Sequence, residues 1–228
     1  MTAAISPLLV YGGSFDPVHN GHVAVFWRAA MELKASDACL LPCFISPLKS
    51  QIFSSTTQRC HLLQLVVDGL NACSSATVFS LDTRELAVNG PSFTCDTLAA
   101  LRQQAGANRP IIWLLGMDAW QQLSQWRNWQ QLTDYAHLLI ALRPGFDLDA
   151  NTEQMAWAHS RRRDLNELAH APCGGISQMN NALLSIAASD IRQQIAQGLR
   201  PVGLLPDAVE QWIYQQGLYV NSSQTDTL

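Results

Sequence analysis

Charge is scarce in this chain of 228 residues: 14 % are Asp, Glu, Lys or Arg, and lysine occurs only twice, at Lys34 and Lys49. Fourteen basic side chains against eighteen acidic ones leave a formal net charge of −4. That balance argues against nucleic acid as a partner, because capture of its backbone takes a broad positive surface. A small anionic ligand held by a few placed cations is still permitted, and Lys49, in a loop, is a candidate for one. The six cysteines, Cys39, Cys43, Cys60, Cys73, Cys95 and Cys173, form no C-x-x-C pair. Several sit in apolar runs that would bury them as small hydrophobes, so neither a zinc cluster nor a disulfide framework is expected. No apolar stretch approaches the ~18 residues of a membrane span, and MTAAISPLLV lacks the basic and long apolar regions of a secretion signal. A soluble cytoplasmic protein without a membrane partner is the expectation; composition assigns no oligomeric state.

Apolar side chains, in contrast, make up 48 % of the residues, far from the composition of disordered chains. LLVY (8–11) has the length and flanking glycines of a buried strand, and 20–33 then reads as a helix. ACLLPCFIS (38–46) reads as a second strand interrupted by Pro42. The loop SPLKSQIFSS follows, and Thr56 opens an amphipathic helix to about Leu70. ATVFSL (76–81), PIIWLLG (110–116) and AHLLIALRPG (136–145) are further strands, with a helix over 94–104 among them. Strands alternating with helices predict a doubly wound parallel sheet with helices on both faces. Residues 147–172 are weakly patterned, and RRRD (161–164) reads as a solvated helix face rather than an anion site. Helices are expected over 185–197 and 206–216. The organisation is therefore a core over 1–185, a small C-terminal helical subregion over 186–220 and a frayed polar tail, 221–228. Such sheets bind ligands at the carboxyl ends of their strands. By that rule 12–22, the Lys49 loop, 116–126 and Arg143 fall along one edge, although they are far apart in the chain.

The densest cluster of chemistry is GGSFDPVHNGH (12–22). It is not the G-x-G-x-x-G dinucleotide fingerprint, and it lacks the G-K-[ST] ending of a P-loop. What remains is backbone at Gly12 and Gly13 that can approach a ligand closely, then a helix start near His19 or Asn20 whose free N–H groups favour phosphate. The spacing of His19 and His22 puts both rings within one turn, able to donate to the same anion. A metal pair is a second reading, though it more often takes H-x-x-x-H and a third ligand, and none is near. A plain turn is a third, with Asp16 and Pro17 shaping it in every case.

The stretch resembles the signature of the nucleotidyltransferase superfamily built on H-x-G-H, met here as His19, Asn20, Gly21 and His22. A second superfamily element, usually I-S-S-T-x-I-R, is similar to IAASDIR (186–192). Within the superfamily, DTRELAVNGPSFTCDTL (82–98), WLLGMDAWQQLSQWRNW (113–129), AHLLIALRPG and GLLPDAVEQWIYQQGLY (203–219) resemble the bacterial nicotinate-nucleotide adenylyltransferases. The resemblance spans most of the chain apart from roughly 147–175. It implies a Rossmann-like α/β core and an enzyme that joins ATP to nicotinate mononucleotide with Mg2+, releasing pyrophosphate. The acceptor phosphate attacks the α-phosphorus directly, without a covalent enzyme intermediate.

Carried onto this chain, the resemblance assigns His19, His22, Lys49 and Arg192 to catalysis. ATP would be held by Gly12, Gly13, Ser14, His22, Asp118, Arg143, Ser189 and Arg192, with Asp118 at a ribose hydroxyl, Arg143 bordering the adenine and Arg192 at the β/γ-phosphates. The nicotinate nucleotide would meet His19, Lys49, Phe93, Thr94 and Trp126. Trp126 would stack on the pyridine ring and the Thr94 N–H would reach the carboxylate; no metal ligand is implied among the side chains. Trp113 and Trp129 read better as core. Bland alternatives are a surface salt bridge for Arg192, an exposed lysine for Lys49, a helix cap for Asp118 and core packing for Trp126. The chain also departs from the family: Ala187 and Ala188 stand for serines, Ser189 for threonine, Phe93 for tyrosine, Leu48 for the histidine before Lys49, and Val202 for a basic residue. The two signatures alone do not choose the acceptor, so nicotinamide mononucleotide or phosphopantetheine is the alternative, and a non-catalytic ATP-binding regulator is another.

Overall fold

The computed structural model describes residues 5–44, 51–87, 90–142, 153–180 and 186–220. Six strands form one parallel sheet: β1 (Leu8–Gly13), β2 (Asp37–Pro42), β3 (Val78–Leu81), β4 (Ile111–Gly116), β5 (His137–Leu142) and β6 (Ile176–Asn180). Their order across the sheet is β3-β2-β1-β4-β5-β6, with Leu8 opposite Asp37 on one side and Ile111 on the other. Side chains alternate between the two faces. Leu9 and Tyr11 of β1, with Ile112 and Leu114 of β4, join one core; Val10, Ile111, Trp113 and Leu115 join the other.

Helices cover both cores, as continuous apolar strands require. The first face takes α1 (Asn20–Glu32), α2 (Thr56–Cys73), α7 (Ala188–Ala196) and α8 (Asp207–Gln215), through Phe26, Leu63, Ile191 and Ile213 among others. The second takes α3 (Thr94–Ala105), α4 (Met117–Gln121), α5 (Leu132–Tyr135) and α6 (Glu153–Ser160), through Leu98, Trp120, Leu132 and Trp157. The two C-terminal helices thus share the core of α1 and α2. The chain leaves β1 toward β2 on one side and reaches β4 on the other, so the carboxyl ends of β1 and β4 open a crevice at the reversal of strand order.

Two expectations are corrected. RRRD is not a helix face: α6 ends at Ser160, Arg162 bridges to Ile176, and the Arg161 guanidinium stands over the Trp157 ring at 5.0 Å. The weakly patterned region also leads into β6, which takes its register from Leu138 opposite Ile176. Its sequence, ISQMN, alternates too briefly to be read alone.

Candidate active site

A cleft of about 750 Å³ opens at the crevice and is lined from both faces of the sheet. Its floor is the end of β1 and the turn that follows. Gly12 there is dictated by packing: a Cβ at this position would lie 2.3 Å from Trp113 Cζ2, so the indole takes the space that any other residue would need. Gly12→Ala is expected to cost about 1–3 kcal/mol by overpacking, and less in a Trp113→Phe background. Denaturant unfolding of the four proteins in the cycle checks the coupling.

His19 is the N-cap of α1, and the cap is reciprocal. The His22 N–H donates to His19 Nδ1 and the His19 N–H donates to His22 Nδ1, both at 3.3 Å. A backbone N–H can only donate, so each neutral ring carries its proton on Nε2. The rings stack with centroids 3.6 Å apart, and Phe15 meets His22 edge-on at 5.2 Å. Gly21 makes the stack possible, because a Cβ there would come within 3.1 Å of the His19 ring. No acidic residue occupies the first turn of α1, which leaves the positive end of the helix dipole for an anion. Asn20 ties this start to the far end of the chain, its N–H to the Leu204 carbonyl and its Nδ2 to the Gly203 carbonyl, each at 2.9 Å.

Behind the histidines, the buried Asp16 carboxylate accepts from the Phe53 N–H at 2.7 Å, the Ser54 N–H at 3.1 Å, the Ser54 hydroxyl at 2.5 Å and the Tyr219 hydroxyl at 2.9 Å. Burial first, then the negative Asp16, pushes the Tyr219 phenol well above its ordinary range, so it stays a donor. Arg192 donates to the Asp16 carbonyl at 2.6 Å and lies 4.3 Å over the Phe53 ring. It faces the cleft from α7, with Ala187, Ala188 and Ser189 at the open N-terminus of that helix. The α7 N-cap is Ala187, without a side-chain bond, so the first-turn N–H groups are not taken by the cap. The Ser189 hydroxyl lies 3.1 Å from Asp190 Oδ1.

At the other end stand Phe93, Thr94, Trp126 and Asp118. Thr94 is the first residue of α3, after the N-cap Phe93, so its N–H is one of the donors a helix start leaves open. Asp118 is the second residue of α4, whose N-cap is Gly116, so the helix-cap reading of Asp118 does not hold. The Asp118 charge adds to burial, the larger cause, in raising the Tyr11 phenol above its ordinary range. Trp126 is half-buried: it packs on the second core and also lines the cleft. Trp129 keeps to the core, edge-on to Trp157 at 4.9 Å, whereas the buried Trp113 also lines the cleft floor.

Residues 10–194 match the cytidylyltransferase-like family. A curated relative from Yersinia pestis (strain Pestoides F), named "Probable nicotinate-nucleotide adenylyltransferase", is 36 % identical over 212 residues, 92 % of this chain and 94 % of its own. A relative of the same name from Cellvibrio japonicus (strain Ueda107) is 36 % identical over 210 residues, 92 % and 97 % of the two chains. The chain belongs to the nicotinate-nucleotide adenylyltransferase family. The fold agrees: the solved Plasmodium falciparum nicotinic acid mononucleotide adenylyltransferase, complexed with NaAD, superposes with a TM-score of 0.69 at 18 % identity, covering 94 % of this chain and 97 % of that one.

Of the residues expected in the site of such an adenylyltransferase, Gly12, Gly13, Ser14, His19, His22, Phe93, Thr94, Asp118, Trp126, Ser189 and Arg192 all line the one cleft. Lys49 and Arg143 lie outside the described residues, as does Leu48. Three residues escaped the sequence reading. Arg59 of α2, only 1 % exposed, donates to the Ser14, Cys43 and Phe44 carbonyls at 2.9, 2.7 and 3.2 Å and so splices the turn after β1 to the end of β2. Its signal was an arginine on the apolar stripe of an amphipathic helix. Glu85, also buried, accepts 2.6 Å bonds from the Ser92 and Thr97 hydroxyls and steadies the Phe93 segment; burial pushes its carboxyl above the usual range, against those two donors. The third is Arg127, next to Trp126 on the cleft wall.

Proposed function

We propose that the protein transfers the adenylyl group of ATP to the phosphate of nicotinate mononucleotide, giving nicotinate adenine dinucleotide and pyrophosphate, a step of NAD synthesis. One observation carries this reading: a single cleft joins a phosphate-type end to an aromatic end, in a chain of this family. An oxygen of the acceptor phosphate forms a bond to the α-phosphorus, and the bond from that phosphorus to the departing pyrophosphate oxygen breaks. The protein need supply only position and charge stabilisation. The Nε2–H groups of His19 and His22, the first turn of α7 and Arg192 supply donors toward the triphosphate. Asp118 would take a ribose hydroxyl. Trp126 and Phe93 would flank the pyridine ring, with the Thr94 N–H toward its carboxylate.

Magnesium would arrive on the triphosphate, shield its charge and polarise the α-phosphoryl oxygens. Of the carboxylates that line the cleft, Asp16 already accepts four bonds from the protein. Six free cysteines suit a reducing compartment, and we place the reaction in the cytoplasm. Among the described residues no helix is long and apolar enough to cross a membrane.

The test offers the purified protein ATP, magnesium and each acceptor in turn while pyrophosphate is followed. Turnover is expected to be fastest with nicotinate mononucleotide. Preference for nicotinamide mononucleotide or phosphopantetheine would overturn the acceptor, and ATP binding without turnover would make the protein a regulator. In the same assay Trp126→Ala is expected to raise the KM for nicotinate mononucleotide about tenfold, the scale of one lost ring stack, with the KM for ATP nearly unchanged. An unchanged acceptor KM would return Trp126 to a packing role.

A further inference from the structure

The aromatic end of the cleft holds a cation that the reaction as described leaves unused. The Arg127 guanidinium carbon stands 4.0 Å from the centroid of the Phe93 ring, and its Nη2 pairs with Asp96 in the first turn of α3. Lying over the ring face restrains the guanidinium at the cleft wall. Asp96 engages one of its five donors, in an exposed pair of the kind that is weakly held. The other guanidinium that lines the cleft among the described residues is that of Arg192, which holds the Asp16 carbonyl at the phosphate-type end. Of the acidic side chains that line the cleft, Glu85 is buried and already takes two hydroxyl donors. Phe93 and Trp126 offer flat apolar faces, and the first N–H of α3 points the same way in sign as the guanidinium. A flat aromatic ring with a carboxylate on its rim suits that combination.

We infer that Arg127 is the residue by which this enzyme separates an aromatic acid from its neutral amide: it sets the preference for nicotinate mononucleotide over nicotinamide mononucleotide. The two acceptors have the same shape, so the cleft cannot sort them by size. A carboxylate gains charge-assisted bonds to the guanidinium through two oxygens, whereas the carboxamide brings no charge and one acceptor oxygen, its NH2 meeting a group that can only donate. The inference rests on the acceptor reading proposed above, and the experiment separates the two.

Pyrophosphate release is measured for wild type, Arg127→Gln and Arg127→Lys with each pyridine nucleotide; where the amide turns over too slowly, its Ki against the acid replaces its kcat/KM. Wild type is expected to prefer the acid. Arg127→Gln should lower the acid-to-amide ratio about tenfold or more, through the KM for the acid, while the KM for ATP stays within about twofold. Arg127→Lys, which keeps the charge but not the planar guanidinium, should fall between. A ratio unchanged in Arg127→Gln, equal losses on both nucleotides, or a wild type without preference overturns the inference and leaves the reaction standing. A wild type that turns over neither pyridine nucleotide overturns the reaction, and the inference with it.

Discussion

His22→Ala is expected to lower kcat for pyrophosphate release by about a hundred- to a thousandfold, the loss that follows removal of one well-placed donor to a developing anion. The ring is held for that work from three sides. Its Nδ1 is occupied by the His19 N–H, and its faces and edges meet the His19 and Phe15 rings, so the Nε2–H has little freedom and little reorganisation to undergo during reaction. Alanine also removes half of the reciprocal cap, which costs about 1 kcal/mol of stability; melting should therefore shift by only a few degrees. Circular dichroism and a thermal melt establish the fold, and steady-state rates at saturating ATP and acceptor read the effect. Near-normal kcat in a folded variant would remove His22 from the chemistry.

Asp16→Ala should act in the opposite manner, on the frame more than on the reacting atoms. Its carboxylate is 6 % exposed and gathers donors from Phe53, Ser54 and Tyr219. Removing it strands the buried Ser54 N–H and hydroxyl, at about 1–3 kcal/mol for each group left unpaired, and takes an acceptor from the part-buried Phe53 N–H and Tyr219 hydroxyl. A loss of about 3 kcal/mol or more is expected, which for a chain of this length lowers Tm by roughly 6–12 °C. Asp16→Asn, which keeps an acceptor oxygen, should lose less. Denaturant midpoints at constant m check both, and an Asp16→Ala loss under about 1 kcal/mol would mean that the four bonds contribute almost nothing net. Because Arg192 holds the Asp16 carbonyl rather than its side chain, activity measured well below the melting temperature should suffer less than in His22→Ala.

The turn after β1 and the start of α1 were legible because their pattern is local. The glycines, the histidines and the helix start sit within eleven consecutive residues, and a helix N-terminus declares its ligand by its open N–H groups. The alternation of strands and helices was legible for the same reason, since apolar runs of strand length show their period directly. Neighbouring strands far apart in sequence are another matter. β6 is short, and it becomes a strand because β5 offers it a ladder, which no local pattern announces. Arg59 and Glu85 were missed because their function is to join segments: an arginine reaching three carbonyls from two loops shows along the chain only as a basic residue on an apolar stripe, with nothing to name its partners. Asp118 shows the limit of counting positions, since its second place in α4 follows from a cap at Gly116 that only the backbone reveals.

The long ties across the turn have a bearing on biosynthesis. The Asn20 amide finds its carbonyl 183 residues downstream, Arg192 reaches Asp16 across 176, and Tyr219 meets the Asp16 carboxylate across 203. The turn that carries the histidines leaves the ribosome well before the groups that brace it. At ~5–20 residues per second the interval is on the order of ten to forty seconds, during which β1 and α1 can pair with their neighbours while the turn stays unbraced. Until the segment that carries Arg192, Gly203 and Tyr219 has docked, the turn that carries the histidines lacks three of its braces.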